Sequence, residues 1–300
     1  MLTFSVVLNT FNRAALLPRA IRGVLAQTVE DFELIIMDDG STDTTAAVVA
    51  SFDDPRIRYI YQANAGLCAA RNTGATHALG DWLVFLDDDD EPRPTWLANV
   101  APYVADPGCA LVCAGVEVIF EDHSEELVPE NLGPMFLGNT VLFQPGAFWV
   151  RRSAFALSGG YLPGLASNHQ TELALRLVPV LVADGWTVQS VPAIGLQMYR
   201  QPPGRRPLAD AAAQYHGIPI ILERHAERFR SDAHARARFL SVAGVSAARL
   251  GRYREARRFL AGAVRATPRD VRSYARLALA CVPPVAHRVW KVGTRVPTLG

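Results

Sequence analysis

The chain contains very little lysine and few cysteines. Of its 300 residues only Lys291 is a lysine, and the four cysteines form neither a CxxC pair nor a framework spacing. No His/Cys group has the spacing of a zinc site either. We therefore expect reduced thiols in a cytosolic protein, without structural zinc.

Long apolar runs are also missing. No stretch reaches about 18 apolar residues free of charges and breakers. The closest, residues 134–150, is interrupted by Gly138, Asn139 and Pro145. No early segment has the basic flank and small-residue cleavage site of a secretion signal. We expect no membrane span and a cytoplasmic location, with a peripheral position at the inner face of a membrane as an option.

Two phosphate-binding motifs are absent. The sequence has neither the GxxxxGK[ST] loop nor the GxGxxG fingerprint. A nucleotidyltransferase would need a Gly-rich N-terminal loop with a lysine, and neither is present. Half of the residues are apolar, so the chain can bury a sizeable core, either in one large domain or in one domain with a small appendage.

The charge is distributed unevenly along the chain. Residues 1–100 carry 7 arginines and 14 acids, residues 101–200 carry 4 and 9, and residues 201–300 carry 19 basic and 6 acidic residues. A basic tail favours contact with lipid headgroups or a phosphorylated carrier. An Arg-rich composition explains the same charge without a partner. No nucleic-acid partner is expected.

Strand and helix patterns alternate in the first hundred residues. Strands are predicted at Phe4–Leu8, Phe32–Met37, Ile57–Ile60 and Trp82–Leu86, and helices at Leu16–Gln27, Thr44–Ser51 and Leu67–Ala78. This alternation predicts an α/β fold with a parallel sheet and right-handed crossovers.

The pattern is looser after Trp96. Strands are predicted at Ala110–Phe120, Phe143–Arg151 and Thr187–Val191, and a helix at Glu172–Leu181. Pro202–Pro207 is typical of a linker. Helices follow it at Leu208–Phe229, Ala233–Leu250, Tyr253–Thr267 and Val271–Val282. We expect one domain over residues 1–205 and a small, basic, all-α appendage over 206–300. The last helical stretch, Tyr274–Trp290, could lie on a membrane surface.

The acidic run Asp87–Asp90 directly follows the fourth predicted strand. Four adjacent carboxylates repel one another, so a positive partner is expected, most simply Mg²⁺ or Mn²⁺. Ligands bind at such strand ends in open α/β sheets. The alternative is a solvated acidic turn that caps a helix beginning near Pro92.

Four loops are expected at the same sheet edge. They are Asn9–Arg13, Asp38–Ser41, Asn64–Gly66 with Arg71, and Asp87–Asp90. They offer carboxylates for a base, a ribose and a metal, an arginine for a diphosphate, and a glycine for close approach. This set of groups is typical of a nucleotide-diphosphate site.

The four motifs, taken together and in this order, resemble those of a known family. Residues Ser5–Leu97 resemble the donor-binding half of family 2 inverting glycosyltransferases, which have the GT-A fold. The matching segments are Val6–Arg13, Gln27–Asp43, Asn64–Gly74 and Gly80–Asp90. The resemblance implies a Rossmann-like, mostly parallel sheet flanked by helices. It also implies a donor-nucleotide half over residues 1–100 and an acceptor half over 101–205.

The resemblance also implies roles for individual residues and a divalent cation, Mn²⁺ or Mg²⁺. Nucleotide contacts would come from Asn9, Thr10 and Arg13 in the pocket, Asp39 on the base, Arg71 on base or phosphate, and Asp87 and Asp88 on the ribose. Asp89 would be the metal ligand of the Asp-x-Asp motif.

The general base departs from the family pattern. An inverting transferase needs a base to deprotonate the acceptor hydroxyl. The family usually has Glu-Asp before a helix that resembles Thr171–Leu177, and here those positions hold His169 and Gln170. His169 could be the base, Glu172 could reach the acceptor, or catalysis is impaired. Glu172 could instead form a salt bridge with Arg176.

A second departure follows the last predicted strand. Family members often have Tyr-Arg-x-His there, whereas this chain has Tyr199–Pro202 and lacks the histidine. Arg200, Arg205 and Arg206 are candidates for contact with the diphosphate. Solvated linker charges explain them equally well.

The sequence thus predicts a metal-dependent inverting glycosyltransferase. It would move a sugar from a nucleoside-diphosphate sugar, with UDP favoured, to a hydroxyl of a polysaccharide, glycolipid or cell-envelope precursor. The alternative is a catalytically impaired nucleotide-sugar binding protein.

Overall fold

The structure, a computed structural model, describes residues 2–199 and 207–290. These residues form two compact units. The sheet unit comprises residues 2–164 and 169–199, and the helical unit comprises 165–168 and 207–290. Residues 202–206 of the predicted linker Pro202–Pro207, the predicted boundary at 205/206, and Arg200, Arg205 and Arg206 lie outside the described residues; Pro207 begins a helix.

Parallel strands joined by helices form the first half of the sheet unit. The elements are β1 Phe4–Thr10, α1 Leu17–Leu25, β2 Phe32–Asp38, α2 Thr45–Ala50, β3 Ile57–Tyr61, α3 Leu67–His77 and β4 Trp82–Asp87. The strand order is β3-β2-β1-β4, and all three pairings are parallel. β1, β2 and most of β4 are buried, as expected for strands covered on both faces. The predicted α/β alternation is confirmed.

The second half makes the sheet mixed. Its elements are β5 Asp90–Pro92, α4 Ala101–Val104, β6 Cys109–Ile119, β7 Ser124–Leu127, β8 Glu130–Asn131, a 3₁₀ turn Pro134–Phe136, β9 Thr140–Val141, β10 Phe148–Arg151, α5 Arg152–Leu157, α6 His169–Ala183 and β11 Thr187–Tyr199. β10 lies antiparallel between β4 and β6, and the order continues to β11 and β5. Trp96 and Trp149, 5.3 Å apart between ring centroids, are fully buried in the core.

The predicted helix near Pro92 is not observed. Residues Asp90–Pro92 form β5 instead, an edge strand that pairs with β11, and Leu196 lies opposite Pro92. A proline has no N–H to donate, so an edge position suits it. β11 extends to Tyr199, beyond the predicted end at Val191, through register shifts near Ile194.

The helical unit contains α7 Pro207–Arg224, α8 Ala226–Ser231, α9 Ala233–Arg249, α10 Tyr253–Ala266, α11 Val271–Ala280 and α12 Pro283–Val289. α9 and α10 pack closely, since a Cβ at Gly244 would lie 2.6 Å from Leu260 Cγ. The predicted helix over 274–290 is broken, because Pro283 starts a new helix. Among the described residues, no helix combines the length and apolarity needed to cross a bilayer.

The parallel register brings the candidate residues together. Thr10 of β1 is paired with Asp38 of β2, and Asn9 is paired with Asp87 of β4. The polar residues at these strand ends therefore lie at one edge of the sheet, as the sequence predicts.

Candidate active site

Arg71 is held beneath the sheet edge by close packing of α3. A Cβ at Gly74 would lie 2.4 Å from Val7 Cγ1, so only glycine allows this approach. The Arg71 side chain is fully buried, and its Nη2 donates to Asp87 Oδ1 at 2.6 Å. Burial alone would lower the pKa of Arg71, but the charge of Asp87 leads the groups that outweigh it and raise this pKa. The guanidinium is therefore a fixed positive charge.

The Arg71 guanidinium has unused donors. Its Nε and Nη1 have no hydrogen-bond partner among the described residues, and its Cζ lies 5.1 Å from the centroid of the Tyr161 ring. Buried donors without partners are costly unless water or a ligand satisfies them. Arg71 is suited to an anionic ligand at this edge.

Asp39 organises the loop before α3. Its Oδ1 accepts hydrogen bonds from Gln62 Nε2 at 2.7 Å and Ala65 N at 2.9 Å, and its Oδ2 accepts from Gly66 N at 2.9 Å. A carboxylate has about four lone-pair sites, so one acceptor position on Oδ2 remains. Asp39 therefore fixes the loop and can still accept one further proton donor.

The loops after β1 and β2 are joined to each other. Asn12, at a positive φ of 52°, accepts from Thr42 N at 2.8 Å through its Oδ1, and its own N–H donates to Ser41 Oγ at 2.8 Å. Asp43 Oδ2 accepts from Ala14 N at 3.1 Å. The turn chemistry expected at Asn12 thus also holds two pocket loops together.

Asn9 and Thr10 lie at the end of β1 and are buried. Neither the Oδ1 nor the Nδ2 atom of Asn9 has a hydrogen-bond partner among the described residues. Its amide can therefore donate and accept at once, a combination that suits a base edge or a ribose hydroxyl.

The acidic run provides a set of oxygen ligands. One carboxylate oxygen from each of Asp87, Asp89 and Asp90 can be chosen so that all lie within 4.8 Å of one another. Hard oxygen donors are those that Mg²⁺ and Mn²⁺ prefer. The chemistry and spacing of these residues fit a divalent cation.

Arg13 provides part of the positive charge predicted beside this run. Its Nη1 lies 2.8 Å from both Asp88 Oδ1 and Asp89 Oδ2. Burial raises the pKa of Asp88 to about 6, although Arg13 opposes that shift. Arg13 therefore neutralises part of the negative charge of the acidic run. It also occupies one oxygen of Asp89, the predicted metal ligand.

Arg19 is a site residue that the sequence patterns do not reveal. Its guanidinium donates to the backbone carbonyl of Asp89 and lies 3.8 Å from the centroid of the Tyr199 ring. Tyr199 in turn donates to Glu91 Oε2 at 3.1 Å. Arg19 thus connects α1, the acidic run and the end of β11, contacts that only the tertiary fold creates.

Glu172 is fully buried and paired. Its two carboxylate oxygens accept from Arg176 Nε at 2.9 Å and Nη2 at 2.5 Å. Arg176 also donates to the carbonyls of Ser158 and Gly160. This geometry favours the structural alternative for Glu172, which the sequence left open.

His169 begins α6, partly buried beside Tyr161, with ring centroids 6.0 Å apart. Burial, followed by the charge of Arg71, lowers the pKa of His169 to about 3. Its Nδ1 is buried and has no hydrogen-bond partner among the described residues. The imidazole is therefore neutral at physiological pH.

Comparison with known proteins identifies the class. The mixed α/β sheet with carboxylates at its strand ends is that of GT-A glycosyltransferases. The model of the family "Glycosyl transferase family 2" matches residues 5–157, about half of the chain. The chain belongs to this family.

Two solved structures show the same fold over nearly the whole chain. Residues 1–349 of S. aureus TarS, in complex with UDP-GlcNAc, align with a TM-score of 0.64 and 15% identity, covering 97% of this chain and 90% of that one. The mannosyltransferase PcManGT from Pyrobaculum calidifontis, in complex with GDP-Man and Mn²⁺, aligns with a TM-score of 0.59 and 19% identity, covering 96% and 82%.

Curated relatives match over shorter stretches. A validoxylamine A glucosyltransferase of Streptomyces hygroscopicus is 44% identical over 116 residues, 37% of this chain and 28% of that protein. A GalNAc(5)-diNAcBac-PP-undecaprenol beta-1,3-glucosyltransferase of Campylobacter jejuni is 43% identical over 91 residues, 29% of each chain. The chain thus spans less than a third of the length of these two relatives.

Proposed function

We propose that this protein transfers a sugar from a nucleoside-diphosphate sugar to an acceptor hydroxyl with inversion. The observation that carries the proposal is the convergence of Asn9, Asp39, Arg71 and the Asp87–Asp90 run at one sheet edge. TarS with UDP-GlcNAc has a similar fold, which supports a UDP-sugar as the favoured donor.

The nucleotide would be held by the strand-end residues. Asp39 would accept the imide hydrogen of the base through its remaining acceptor position. Asn9 and Thr10 would line the pocket, Asp87 and Asp88 would face the ribose, and the unused donors of Arg71 would bind base or phosphate. Charge-assisted bonds of this kind are stronger than neutral ones.

Asp89, with Asp87 and Asp90 beside it, would hold Mn²⁺ or Mg²⁺. A divalent cation there supplies positive charge that stabilises the departing diphosphate. Arg13 would release Asp89 when the donor binds and would then face the nucleotide phosphates. In this step Arg13 would exchange Asp89 for the phosphates, and Asp89 would exchange Arg13 for the cation.

The proposed general base is His169. It is neutral at physiological pH, its Nδ1 has no other described partner, and the family places its base at this end of the α6 helix. It would accept the proton of the attacking hydroxyl. A pKa of about 3 in the free protein makes it a weak base, so bound donor must raise this pKa for efficient proton transfer.

A second candidate function is nucleotide-sugar binding without turnover. The same low pKa of His169 favours it. So does the pairing of Glu172 with Arg176, because this carboxylate is the alternative base that the sequence offers. Donor binding without transfer to any acceptor, unchanged in His169→Ala, would establish it.

The acceptor is proposed to belong to a glycan or a lipid-linked cell-envelope precursor. The domains are proposed as residues 1–205 for transfer and 206–300 as a basic extension. Val271, Tyr274 and Val285 are exposed, and arginines such as Arg272, Arg276 and Arg288 alternate with them along the sequence, so this segment would contact anionic membrane. Failure to sediment with anionic liposomes at low salt would contradict that contact.

A donor panel tests the central proposal. UDP-glucose, UDP-GlcNAc, dTDP-glucose and GDP-mannose would be incubated with Mn²⁺ and simple glycoside acceptors, and nucleotide release and product anomers would be followed by NMR. Transfer from one donor with inverted anomeric configuration is the expected result. Retention of configuration would overturn the mechanism.

A further inference from the structure

The helical unit contains a cavity of about 340 Å³ that three arginines line. Arg238 and Arg249 come from α9, and Arg276 comes from α11. No aspartate or glutamate is among the described residues that line this cavity. Its volume is at the lower end of the roughly 300–1,000 Å³ typical of ligand sites.

The sequence of α9 places one set of residues on the face that lines the cavity and another on the face that packs against α10. Arg238, Val242, Val245 and Arg249 follow one another at spacings of four, three and four, so they share one face and line the cavity. Ala247 and Ala248 are buried in the core that α9 forms with α10. The arginines are therefore placed on the cavity side by the packing of the small residues.

The positive charge of the cavity has little compensation among the side chains that the structure describes. None of the three arginines forms a salt bridge with them. Arg249 Nε is buried and has no hydrogen-bond partner there. Arg276 contributes, after hydrogen bonds of Ser273 and Arg272, to lowering the pKa of Asp270, which does not line the cavity.

The remaining walls add a neutral donor and an aromatic ring. Ser246 Oγ donates to Gln214 Oε1 at 3.0 Å, and the amide nitrogen of Gln214 is left as a donor. Trp290 packs against the small core of α9 and α10. The guanidinium groups of the arginines, together with the neutral amide donor of Gln214, match the oxygens of a phosphate group.

We propose that this cavity binds a phosphate group, either free or as the phosphate ester of a lipid headgroup. All of its described lining residues belong to the helical unit. It gives a reason for the convergence of three arginines on a cavity whose described lining includes no acid.

The test uses the full chain in EDTA. Inorganic phosphate and pyrophosphate would be titrated calorimetrically into wild type, Arg249→Gln, Arg276→Lys and Arg236→Gln. Arg236 is an exposed arginine of α9 outside the cavity, so its variant removes the same charge. We expect Arg249→Gln to weaken binding about tenfold, Arg276→Lys to weaken it less, and Arg236→Gln to bind like wild type.

A vesicle arm distinguishes the two sources of phosphate. Co-sedimentation with phosphatidic acid vesicles that is lost in Arg249→Gln but kept in Arg236→Gln would identify a headgroup. Binding of free phosphate alone, with the same variant pattern, would identify a soluble ligand. Absence of binding in both arms, or equal weakening by Arg249→Gln and Arg236→Gln, would overturn the proposal.

Discussion

Arg71 and Asp87 form an ion pair between the interior and the sheet edge: Nη2 and Oδ1 are 2.6 Å apart, Arg71 is fully buried and Asp87 is about one-third exposed. Arg71→Gln would leave Asp87 without its partner and remove the donors proposed for the nucleotide. Breaking a buried pair costs about 3–5 kcal/mol, and the exposure of Asp87 places the expected loss at the low end. Chemical denaturation and UDP titration would measure the two effects. Normal UDP affinity in folded Arg71→Gln would contradict the nucleotide role.

Asp39 is predicted to combine loop fixation with recognition of the base. Asp39→Asn would turn an amide N–H₂ toward donors now bonded to the carboxylate, which costs about 1–3 kcal/mol per unsatisfied group. We expect lower stability and much weaker UDP binding. Asp53→Asn, at an exposed aspartate, is the matched control. The base contact would be wrong if Asp39→Asn and Asp53→Asn bound UDP equally.

Arg13 is predicted to compete with the cation for Asp89. Arg13→Gln would free the carboxylates that it bridges, so Mn²⁺ should bind more tightly without nucleotide, while UDP should bind more weakly. Asp89→Asn should lose Mn²⁺ binding in the presence of UDP. Titration calorimetry and Mn²⁺ EPR would measure both. Unchanged Mn²⁺ affinity in both variants would exclude this site.

The roles of Glu172 and His169 can be distinguished by measuring both stability and turnover in variants of each residue. Glu172→Gln should lower the free energy of unfolding by about 3–5 kcal/mol, because Arg176 would lose its charged partner. The kcat of the folded fraction should stay near wild type. His169→Ala should instead lower kcat by about 10²–10⁴-fold. A collapse of kcat in folded Glu172→Gln would reassign the base to Glu172.

The low pKa of His169 predicts that the free energy of unfolding depends on pH. Its pKa is lowered from 6.5 to about 3 in the folded protein, so between these values the unfolded chain binds a proton that the folded chain does not. Stability must then fall as pH drops through this window, with a slope approaching 1.4 kcal/mol per pH unit. His169→Gln should remove the contribution of His169 to the slope of stability against pH. Equal slopes in denaturation at pH 4, 5, 6 and 7 would contradict the burial of His169.

The donor half could be predicted from sequence because its signals are local. The strands up to Trp82–Asp87 are apolar runs that end in polar loops, and parallel connection places those ends at one edge. The mixed second half could not be predicted in this way. β10 inserts between β4 and β6, a pairing of residues such as Trp149 and Val84 that are far apart in the chain.

Individual site contacts were predictable only in part. The Glu172–Arg176 pair follows from helical spacing, and the sequence predicts it as one alternative for Glu172. The Arg13 bridge to Asp88 and Asp89 joins residues some 75 positions apart, and Arg19 reaches Asp89 and Tyr199 only through the fold. Such contacts leave no periodic trace in the sequence.

The most direct measurement is a calorimetric titration of UDP into the protein with Mn²⁺ and again with EDTA. Binding is expected to require the metal and to be lost in Arg71→Gln and Asp89→Asn. Absence of binding to UDP, and to dTDP and GDP in the same format, would contradict the nucleotide site and with it the proposed transferase.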